Sequence, residues 1–434
     1  MTDISHFQHR RQQLLHRMGG GVAVIPTAAE AVRSRDSHYP YRFDSYFYYL
    51  TGFAEPESVL ILLSGAQPKS ILFCRDKNLE REIWDGFRHG PEGAREFFGV
   101  DEAYPISRLD ELAPQLLANQ ARLYYALGAD AAWDGRVSAW LNGLRGQARI
   151  GISAPAEVSD VRALLDDMRL IKSPEEISTM QRAATISCGA HRRAMLATRP
   201  GRMEYEIEAE LLHEFRRHGA QSPAYHSIVA GGANACVLHY VFNNAQLRDG
   251  DLLLIDAGCE VDGYASDITR TFPVNGKFSG PQKDLYQLVL AAQVAAIAAI
   301  RSGAGWNAPH DAALGVLAQG LVDFGLCRGT PQAVLESGDY KRFYMHRTGH
   351  WLGLDVHDAG NYKHGDVWLS LEPGMALTVE PGCYVRPADD VPRHFWDIGI
   401  RIEDDVIVTA AGCDVITADA PKTVAEIESL MANG

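Results

Sequence analysis

Four carboxylates and one imidazole in apolar parts of the sequence could together form a metal site. Asp256 closes the apolar run 252–255, and Asp267 lies eleven positions further on, directly before Ile268. Carboxylates in such surroundings are costly to bury unless a partner compensates their charge. The complete candidate set is Asp256, Asp267, His350, Glu380 and Glu403.

The charges of this set predict two divalent cations with a hydroxide between them. Four carboxylates in one pocket raise each other's pKa and cannot all ionise without cations, and two divalent ions would balance them. Two such ions lower the pKa of water from about 15.7 toward about 7 and stabilise a tetrahedral intermediate. Mostly oxygen ligands with one nitrogen favour manganese, with cobalt, iron and zinc as alternatives. The alternative for any single carboxylate is a surface position or an ordinary salt bridge.

Histidines form a second group of candidates, and three of them occur in M-H-R-T-G-H-W-L-G-L-D-V-H-D. The spacing of His346, His350 and His357 would suit one face of a helix, but the glycines between them favour a loop that enters a strand. One could ligate a metal, and the others could stabilise an oxyanion or move a proton. The alternative for each is an ordinary core or surface histidine. His239 in C-V-L-H-Y is by itself more typical of a structural residue, and Tyr225 in A-Y-H is ambiguous.

The first 170 or so residues alternate helical and strand patterns, which predicts an α/β domain with a mixed sheet. Helices are expected at 4–18, 106–118 and 131–144. Strands are expected at the apolar runs 22–25, 46–50, 59–63, 71–73 and 123–125.

A boundary falls near residues 168–174, so we expect one domain at 1–170 and a second at 171–434. Ser173 can cap a helix that begins at Pro174, and Glu176 completes a capping box. The chain then passes twice from helices to strands, which predicts an α+β domain with pseudo-duplicated halves. Further helices are expected at 203–218, 281–301 and 309–325, and strands at 225–230, 251–257, 266–272, 343–347, 376–385 and 399–408.

The composition is that of a globular chain and disfavours nucleic acid or membrane as a partner. The net charge is 41 − 55 = −14, which argues against a nucleic-acid surface. No run of about 18 apolar residues occurs, which predicts no transmembrane helix, and the first residues lack the pattern of a secretory signal. Seven cysteines without a C-x-x-C pair are typical of reduced thiols in the cytoplasm.

Several motifs together resemble the pita-bread metallopeptidases, in the branch that holds aminopeptidase P and prolidase. They are D-A-G-C-E-V-D-G-Y-A-S-D-I-T-R-T-F at 256–272, H-R-T-G-H-W-L-G-L-D-V-H-D at 346–358, L-T-V-E-P-G at 377–382 and G-I-R-I-E-D-D at 399–405. Residues 34–53, 82–86 and 169–177 resemble aminopeptidase P rather than prolidase. The resemblance spans nearly the whole chain. It implies an α/β N-terminal domain followed by an α+β pita-bread catalytic domain.

The resemblance also implies a role for each matching ligand. Asp256 and Asp267 would hold one metal ion, with Asp267 bridging to a second. His350 and Glu380 would complete the second site, and Glu403 would bridge both ions. Glu380 would in addition orient the nucleophile and accept its proton.

Other matching residues would surround the substrate. His239 and His357 would steady the scissile carbonyl and the intermediate. The expected residues of the substrate pocket are Tyr225, His346, Tyr384 and Arg401, the last of which would also contact the ligands. Asp36 and Trp84 match positions that approach a neighbour's active site in tetrameric relatives, so we expect a homo-oligomer, a tetramer or a dimer.

The implied reaction is release of the N-terminal residue from peptides with proline in second position, through attack by the hydroxide between the ions. The nearest alternative is a prolidase restricted to dipeptides. A non-catalytic binding module and a metal-free creatinase-like hydrolase are further alternatives, disfavoured because all five ligands are present. The chain departs from the familiar pattern at Arg347-Thr348, where a smaller pair is usual, and at Tyr46, where an aspartate is usual. Neither departure touches a ligand.

Overall fold

The computed structural model describes residues 4–433 and contains two compact units. Unit 1 extends to Met168, and unit 2 begins at Arg169. Between residues 4 and 433, no helix is both long and apolar enough to cross a lipid bilayer.

Unit 1 is built on a six-stranded mixed sheet, as predicted. Its helices are α1 (Ser5–Met18), α2 (Ser45–Thr51), α3 (Leu79–Asp85), α4 (Gly90–Phe98), α5 (Leu109–Leu117), α6 (Ala131–Arg145) and α7 (Arg162–Leu170), the last of which runs across the boundary of the units. Its strands are β1 (Gly21–Pro26), β2 (Val32–Ser34), β3 (Ser37–His38), β4 (Val59–Ser64), β5 (Lys69–Cys74), β6 (Glu102–Pro105), β7 (Arg122–Tyr124) and β8 (Glu157–Ser159). The sheet has the order β6-β5-β4-β1-β7-β8, and β4 pairs antiparallel with both neighbours.

The aromatic run at 46–50 was predicted to be a strand, and that prediction is wrong because the run lies in helix α2. The Asp44 side chain accepts a hydrogen bond from the backbone of Phe47, which caps the helix start. Gly52 ends the helix with a left-handed backbone, φ 64°. Capping residues at both ends outweigh the strand preference of the aromatic side chains between them.

Unit 2 contains the remaining helices and strands. The helices are α8 (Pro174–Ala197), α9 (Glu204–Arg217), α10 (Gly280–Ala299), α11 (Ala308–Asp323), α12 (Pro331–Ser337) and α13 (Val424–Met431). The strands are β9 (Ser222–Pro223), β10 (Ile228–Gly231), β11 (Leu252–Asp256), β12 (Cys259–Val261), β13 (Tyr264–Ala265), β14 (Thr269–Pro273), β15 (Lys363–His364), β16 (Val367–Trp368), β17 (Ala376–Val379), β18 (Gly382–Val385), β19 (Ile398–Arg401), β20 (Asp404–Val408) and β21 (Cys413–Val415).

The predicted duplication is confirmed in unit 2. In the first half, α8 and α9 precede the antiparallel sheet β10-β11-β14, and in the second half α10 and α11 precede the sheet β17-β20-β21. The predicted capping box is present at the start of α8, where Ser173 and Glu176 exchange hydrogen bonds. The helices pack against the strands in one large apolar core.

Three strand predictions in the second half need correction. Residues 343–347 form an irregular loop and no strand, and the Phe343 carbonyl accepts a hydrogen bond from the backbone N–H of Tyr384. The expected strand at 376–385 is interrupted at Glu380-Pro381, and the one at 399–408 is interrupted at Ile402-Glu403. Proline has no backbone donor to continue a ladder, and both interruptions fall at candidate ligands.

Candidate metal centre

Strands β11 and β14 bring the two aspartates together. The strands pair antiparallel with Asp256 opposite Thr269, and the intervening chain makes a short excursion through the β12–β13 hairpin. Gly258 lets that excursion close, because a Cβ there would lie 1.8 Å from the carbonyl oxygen of Ser266. Asp267 therefore returns beside Asp256 despite the residues between them.

The two glutamates occupy matching interruptions in paired strands. Val379 lies opposite Asp404 in the β17–β20 pair, and Gly382 lies opposite Arg401 in the β18–β19 pair. Glu380 and Glu403 therefore face each other between the two ladders. The backbone N–H of Glu403 donates to the carbonyl of Thr269 at 3.0 Å, which ties this pair to the aspartates.

His350 lies in a loop held against β17, as the glycines around it predicted. Its backbone exchanges hydrogen bonds with Thr378. Its ring Nδ1 lies 2.9 Å from the carbonyl oxygen of Trp351 and donates to it, so Nε2 is the ring nitrogen that faces the carboxylates. That Nε2 lies 3.4 Å from Asp267 Oδ2 and 3.8 Å from Glu380 Oε1.

Side chains around the cluster hold the carboxylates in place. The Arg401 guanidinium donates to Asp256 Oδ2 at 2.6 Å, and the Thr269 hydroxyl donates to Glu403 Oε2 at 2.6 Å. The Tyr225 hydroxyl lies 2.7 Å from Asp256 Oδ1 and also contacts Asp267 Oδ1. Its single proton can satisfy only one of those two carboxylates.

Two further residues that hold the cluster were missed from the sequence. The Thr269 hydroxyl also accepts a hydrogen bond from Arg401 Nε at 3.1 Å. The fully buried carboxylate of Asp405 accepts a hydrogen bond from the backbone N–H of Asp267 at 2.9 Å. Both residues belong to the quoted motifs, where they alternate with ligands, but no single-sequence signal shows that they bond to the cluster.

The electrostatics of the cluster favour bound cations. Burial, with the charges of Asp267, Glu380 and Asp256, raises the pKa of Glu403 well above its usual value. Burial raises the pKa of Glu380 to about 7 and also raises that of Asp256. Burial alone would raise the pKa of Asp267, but its contact with His350 lowers it overall.

The donor set fits a divalent metal. Ligand atoms of Asp267, His350 and Glu403 all lie within 4.8 Å of one another. Asp256 is linked to this trio because the Tyr225 hydroxyl contacts both Asp256 and Asp267, and Glu380 is linked to it because Glu380 Oε1 lies near His350 Nε2. Carboxylate oxygens with one imidazole nitrogen suit manganese, iron, cobalt or zinc. Cations would offset the negative charge that otherwise raises the carboxylate pKa values.

A cavity of about 1060 Å³ opens over the five residues, and its lining also contains His239, His357 and His346. The rings of His350 and His357 stand 4.4 Å apart, nearly perpendicular. Burial, with the nearby charge of Arg401, lowers the pKa of His346 to about 3, so its ring is neutral.

Tyr384 connects the wall of this cavity to the cluster. Arg401 donates to the Tyr384 hydroxyl at 3.0 Å, and that hydroxyl lies 2.8 Å from His346 Nε2. His346 Nδ1 in turn lies 2.8 Å from the Arg347 carbonyl oxygen, so Nδ1 carries the proton and Tyr384 donates to Nε2.

The structure thus brings together all the predicted site residues of unit 2. The predicted residues Asp36 and Trp84 belong to unit 1 and are not among the residues that line the cavity. Both are exposed, and Trp84 has 83% of its surface accessible.

Comparison with known proteins identifies the family. The model of metallopeptidase family M24 matches residues 178–410, and that of the aminopeptidase P N-terminal domain matches residues 7–124. The chain belongs to the aminopeptidase P branch of metallopeptidase family M24. It is 46% identical to Xaa-Pro aminopeptidase of Escherichia coli over 99% of both chains. It is also 46% identical to Xaa-Pro aminopeptidase of Haemophilus influenzae, over 98% of this chain and 96% of that one.

Solved structures of the family agree over the whole chain. Aminopeptidase PepP of Pseudomonas aeruginosa has a TM-score of 0.98 at 51% identity and covers 100% of this chain and 99% of its own. Zinc-substituted E. coli aminopeptidase P in complex with product has a TM-score of 0.97 at 45% identity, with 100% and 99% covered. The predicted fold, an α/β N-terminal domain and a pita-bread C-terminal domain, is confirmed. Membership of the family implies a hydrolase with a divalent metal cofactor.

Proposed function

We propose that this protein is a metal-dependent aminopeptidase that releases the N-terminal residue from peptides with proline in second position. The observation that carries this proposal is the convergence of four carboxylates, two buried and two half-buried, and one imidazole on the floor of a peptide-sized cavity. The identity of 46% to two Xaa-Pro aminopeptidases supports the choice of substrate.

The proposed cofactor is a pair of divalent ions, most simply Mn²⁺, held by the five candidate ligands. Asp256 and Asp267 would hold one ion, His350 and Glu380 the other, and Asp267 and Glu403 would be shared. When bound, the pair supplies a hydroxide nucleophile near neutral pH and polarises the scissile carbonyl.

The protein's own groups then move protons and orient the substrate. Glu380 would accept a proton from the nucleophile and pass it to the proline nitrogen, since its two carboxylate oxygens lie 3.8 Å from His350 Nε2 and 3.7 Å from His346 Nδ1 on the floor of the cavity. His239 and His357 line the cavity where they could donate to the developing oxyanion. The neutral His346, held by Tyr384, would form a wall of the proline pocket, and Tyr225 would close its floor.

The domain assignment and the setting of the protein are part of the same proposal. Residues 1–170 would be the aminopeptidase P N-terminal domain, and residues 171–434 the catalytic domain. All seven cysteines are free thiols, which supports a reducing compartment such as the cytoplasm. A homotetramer, with Asp36 and Trp84 near a neighbour's site, is proposed from the resemblance.

Peptide cleavage combined with metal analysis tests the proposal. We expect manganese-loaded protein to release alanine from Ala-Pro-Ala much faster than from Ala-Ala-Ala. Asp267→Ala should remain folded, bind less than one equivalent of metal and lose nearly all turnover. The exposed Asp414 provides a matched control, since Asp414→Ala should keep metal and activity. Cleavage of Ala-Pro but not of Ala-Pro-Ala would replace the proposal with a prolidase, and a fully active, metal-free Asp267→Ala protein would refute the site.

A further inference from the structure

Two basic side chains lie over one indole ring in the solvent-exposed wall of the metal-site cavity. Arg347, Lys363 and Trp368 all line this cavity. The guanidinium carbon of Arg347 lies 5.0 Å from the centroid of the Trp368 ring, and Lys363 Nζ lies 4.0 Å from it. We name these three residues the cationic rim.

The cationic rim is held in place by the fold. Lys363 and Trp368 are directly opposite each other in the β15–β16 hairpin. That hairpin is anchored where the backbone N–H of Trp306 donates to the Leu369 carbonyl at 2.7 Å. The Arg347 guanidinium donates to the side-chain oxygen of Asn307. The cations are therefore positioned without a ligand, which reduces the entropy cost of binding one.

The charge of the cationic rim is opposite to that of the cavity floor. Across residues 4–433, neither Arg347 nor Lys363 forms an ion pair with a carboxylate. The carboxylates in the described lining of the cavity are the four of the metal centre. The cavity is thus acidic at its floor and basic on one exposed wall, and a peptide with a negative charge away from the cleaved bond would complement it.

Arg347 is next in the chain to a residue beside the metal centre, and this position suits contact with a residue shortly after proline. Arg347 follows His346, whose Nδ1 lies 3.7 Å from Glu380 Oε2. An extended peptide advances about 3.3–3.6 Å per residue, so a group two residues beyond the scissile carbonyl lies roughly 7 Å away. A long basic side chain can span such a distance.

We propose that the cationic rim binds a carboxylate carried by the substrate one or two residues after proline, an inference that rests on the proposed function. Arginine and lysine both form charge-assisted hydrogen bonds with carboxylates. The carboxylate has two sources, the C-terminus of a short peptide or the side chain of an acidic residue. The protein would accordingly favour tripeptides and tetrapeptides, or peptides that are acidic after proline.

The test compares Ala-Pro-Ala with its C-terminal amide, using wild type and the double variant Arg347→Gln/Lys363→Gln. We expect wild type to prefer the free acid by about fivefold to tenfold in kcat/KM, mostly through KM, as one or two partly exposed ion pairs allow. The double variant should reduce the ratio to about twofold or less, and added salt should reduce the ratio of wild type. Lys341→Gln removes an exposed positive charge of the same unit outside the cavity and should keep the preference.

A second pair of peptides distinguishes the two sources of the carboxylate. Ala-Pro-Asp-amide and Ala-Pro-Asn-amide differ in a side-chain charge while both termini stay alike. If wild type but not the double variant prefers Ala-Pro-Asp-amide over Ala-Pro-Asn-amide, the cationic rim binds an acidic side chain. If only the first pair of peptides shows such a preference, the cationic rim binds the C-terminal carboxylate. Neutral and acidic peptides cleaved equally by wild type, or an unchanged ratio in the double variant, would overturn the inference and leave the proposed function standing. Absence of cleavage of every Xaa-Pro peptide would remove both.

Discussion

At the scale of single residues, the protein's own side chains neutralise only part of the negative charge of the four clustered carboxylates. Arg401 is hydrogen-bonded to Asp256, whereas Glu403 receives a hydrogen bond from the neutral hydroxyl of Thr269. Burial and the neighbouring carboxylates raise the pKa of Glu403 well above its usual value. The remaining charge has to be balanced by protons or by metal ions, and protons and metal therefore compete for the same oxygens.

Replacement of Thr269 by valine should weaken metal binding without unfolding the protein. Valine matches threonine in shape but loses the hydroxyl that orients Glu403 and bonds to Arg401. Loss of an outer-sphere hydrogen bond to a ligand reduces metal affinity by about 10-fold to 100-fold. Isothermal titration of manganese into metal-free protein measures this change.

Thr271 is the matched control for this substitution. It is fully buried in the same strand, and its hydroxyl bonds only to the backbone of Arg401 in the described structure. Thr271→Val should lower the stability by about 1–3 kcal/mol and change the metal affinity far less than Thr269→Val. Equal losses of affinity in the two variants would mean that the Thr269 hydroxyl has no specific role.

At the scale of elements, the excursion between β11 and β14 determines where Asp267 returns. Gly258→Ala should disrupt that return, because its Cβ would lie 1.8 Å from the Ser266 carbonyl oxygen and the backbone would have to move. We expect a loss of about 3 kcal/mol in the free energy of unfolding, as for other overpacked sites. Metal affinity should fall together with stability, measured by urea unfolding and manganese titration.

Gly280 gives the corresponding control on α10. A Cβ there would meet no atom within 4 Å, so Gly280→Ala should leave stability and metal affinity nearly unchanged. A Gly258→Ala protein that matches it in both measurements would show that the hairpin tolerates the extra methyl group.

Much of the fold was predictable because its local signals agree with its tertiary structure. The capping residues Ser173 and Glu176 marked the start of α8 correctly, and the apolar run 252–255 became β11. The strand prediction for the aromatic run 46–50 was wrong because the capping residues on both sides of the run favour a helix. The strand propensity of the run itself does not include those capping residues.

The candidate ligands of the site were predictable from the sequence, but the residues that hold them in place were not. The candidate ligands stood out as four carboxylates and a histidine in apolar segments and through the family motifs, and the structure brings them together. Thr269 and Asp405 were missed because their role depends on contacts with Glu403 and Asp267, more than 130 positions away in the chain. The interruptions at Glu380 and Glu403 were also missed, since they result from the pairing of distant strands.

At the scale of the whole molecule, stability should fall in acid partly because of one buried histidine. His191 on α8 is fully buried, and its Nε2 donates to the Ala257 carbonyl at 2.9 Å. Burial lowers its pKa from 6.5 to about 4; Arg270 also lowers it, while the Ala257 hydrogen bond, Asp267 and Asp404 oppose the change. The unfolded chain takes up the proton first as the pH falls, so this contribution is fully present above pH 6.5 and is lost toward pH 4.

His191→Gln should remove that part of the acid sensitivity. Glutamine can keep a donor to Ala257 and has no proton to gain, so the fall in unfolding free energy between pH 7 and 4.5 should shrink by up to about 3 kcal/mol. Urea unfolding at the two pH values measures it, and the exposed His394 serves as control through His394→Gln. If the pH dependence of His191→Gln equalled that of wild type, His191 would have to titrate alike in the folded and unfolded chain.

Metal loading should stabilise unit 2, because the two halves of this unit supply the proposed ligands jointly. Asp256 and Asp267 come from the first half, and His350, Glu380 and Glu403 from the second, so unfolding of either half would release bound metal. A ligand bound only by the folded state adds about 2.7 kcal/mol at a concentration one hundred times its Kd. Chelator-treated wild type should therefore melt at a lower temperature than manganese-loaded wild type, and manganese should leave the melting temperature of Asp267→Ala nearly unchanged. An equal manganese-induced shift in both proteins would place the stabilising ions elsewhere in the molecule.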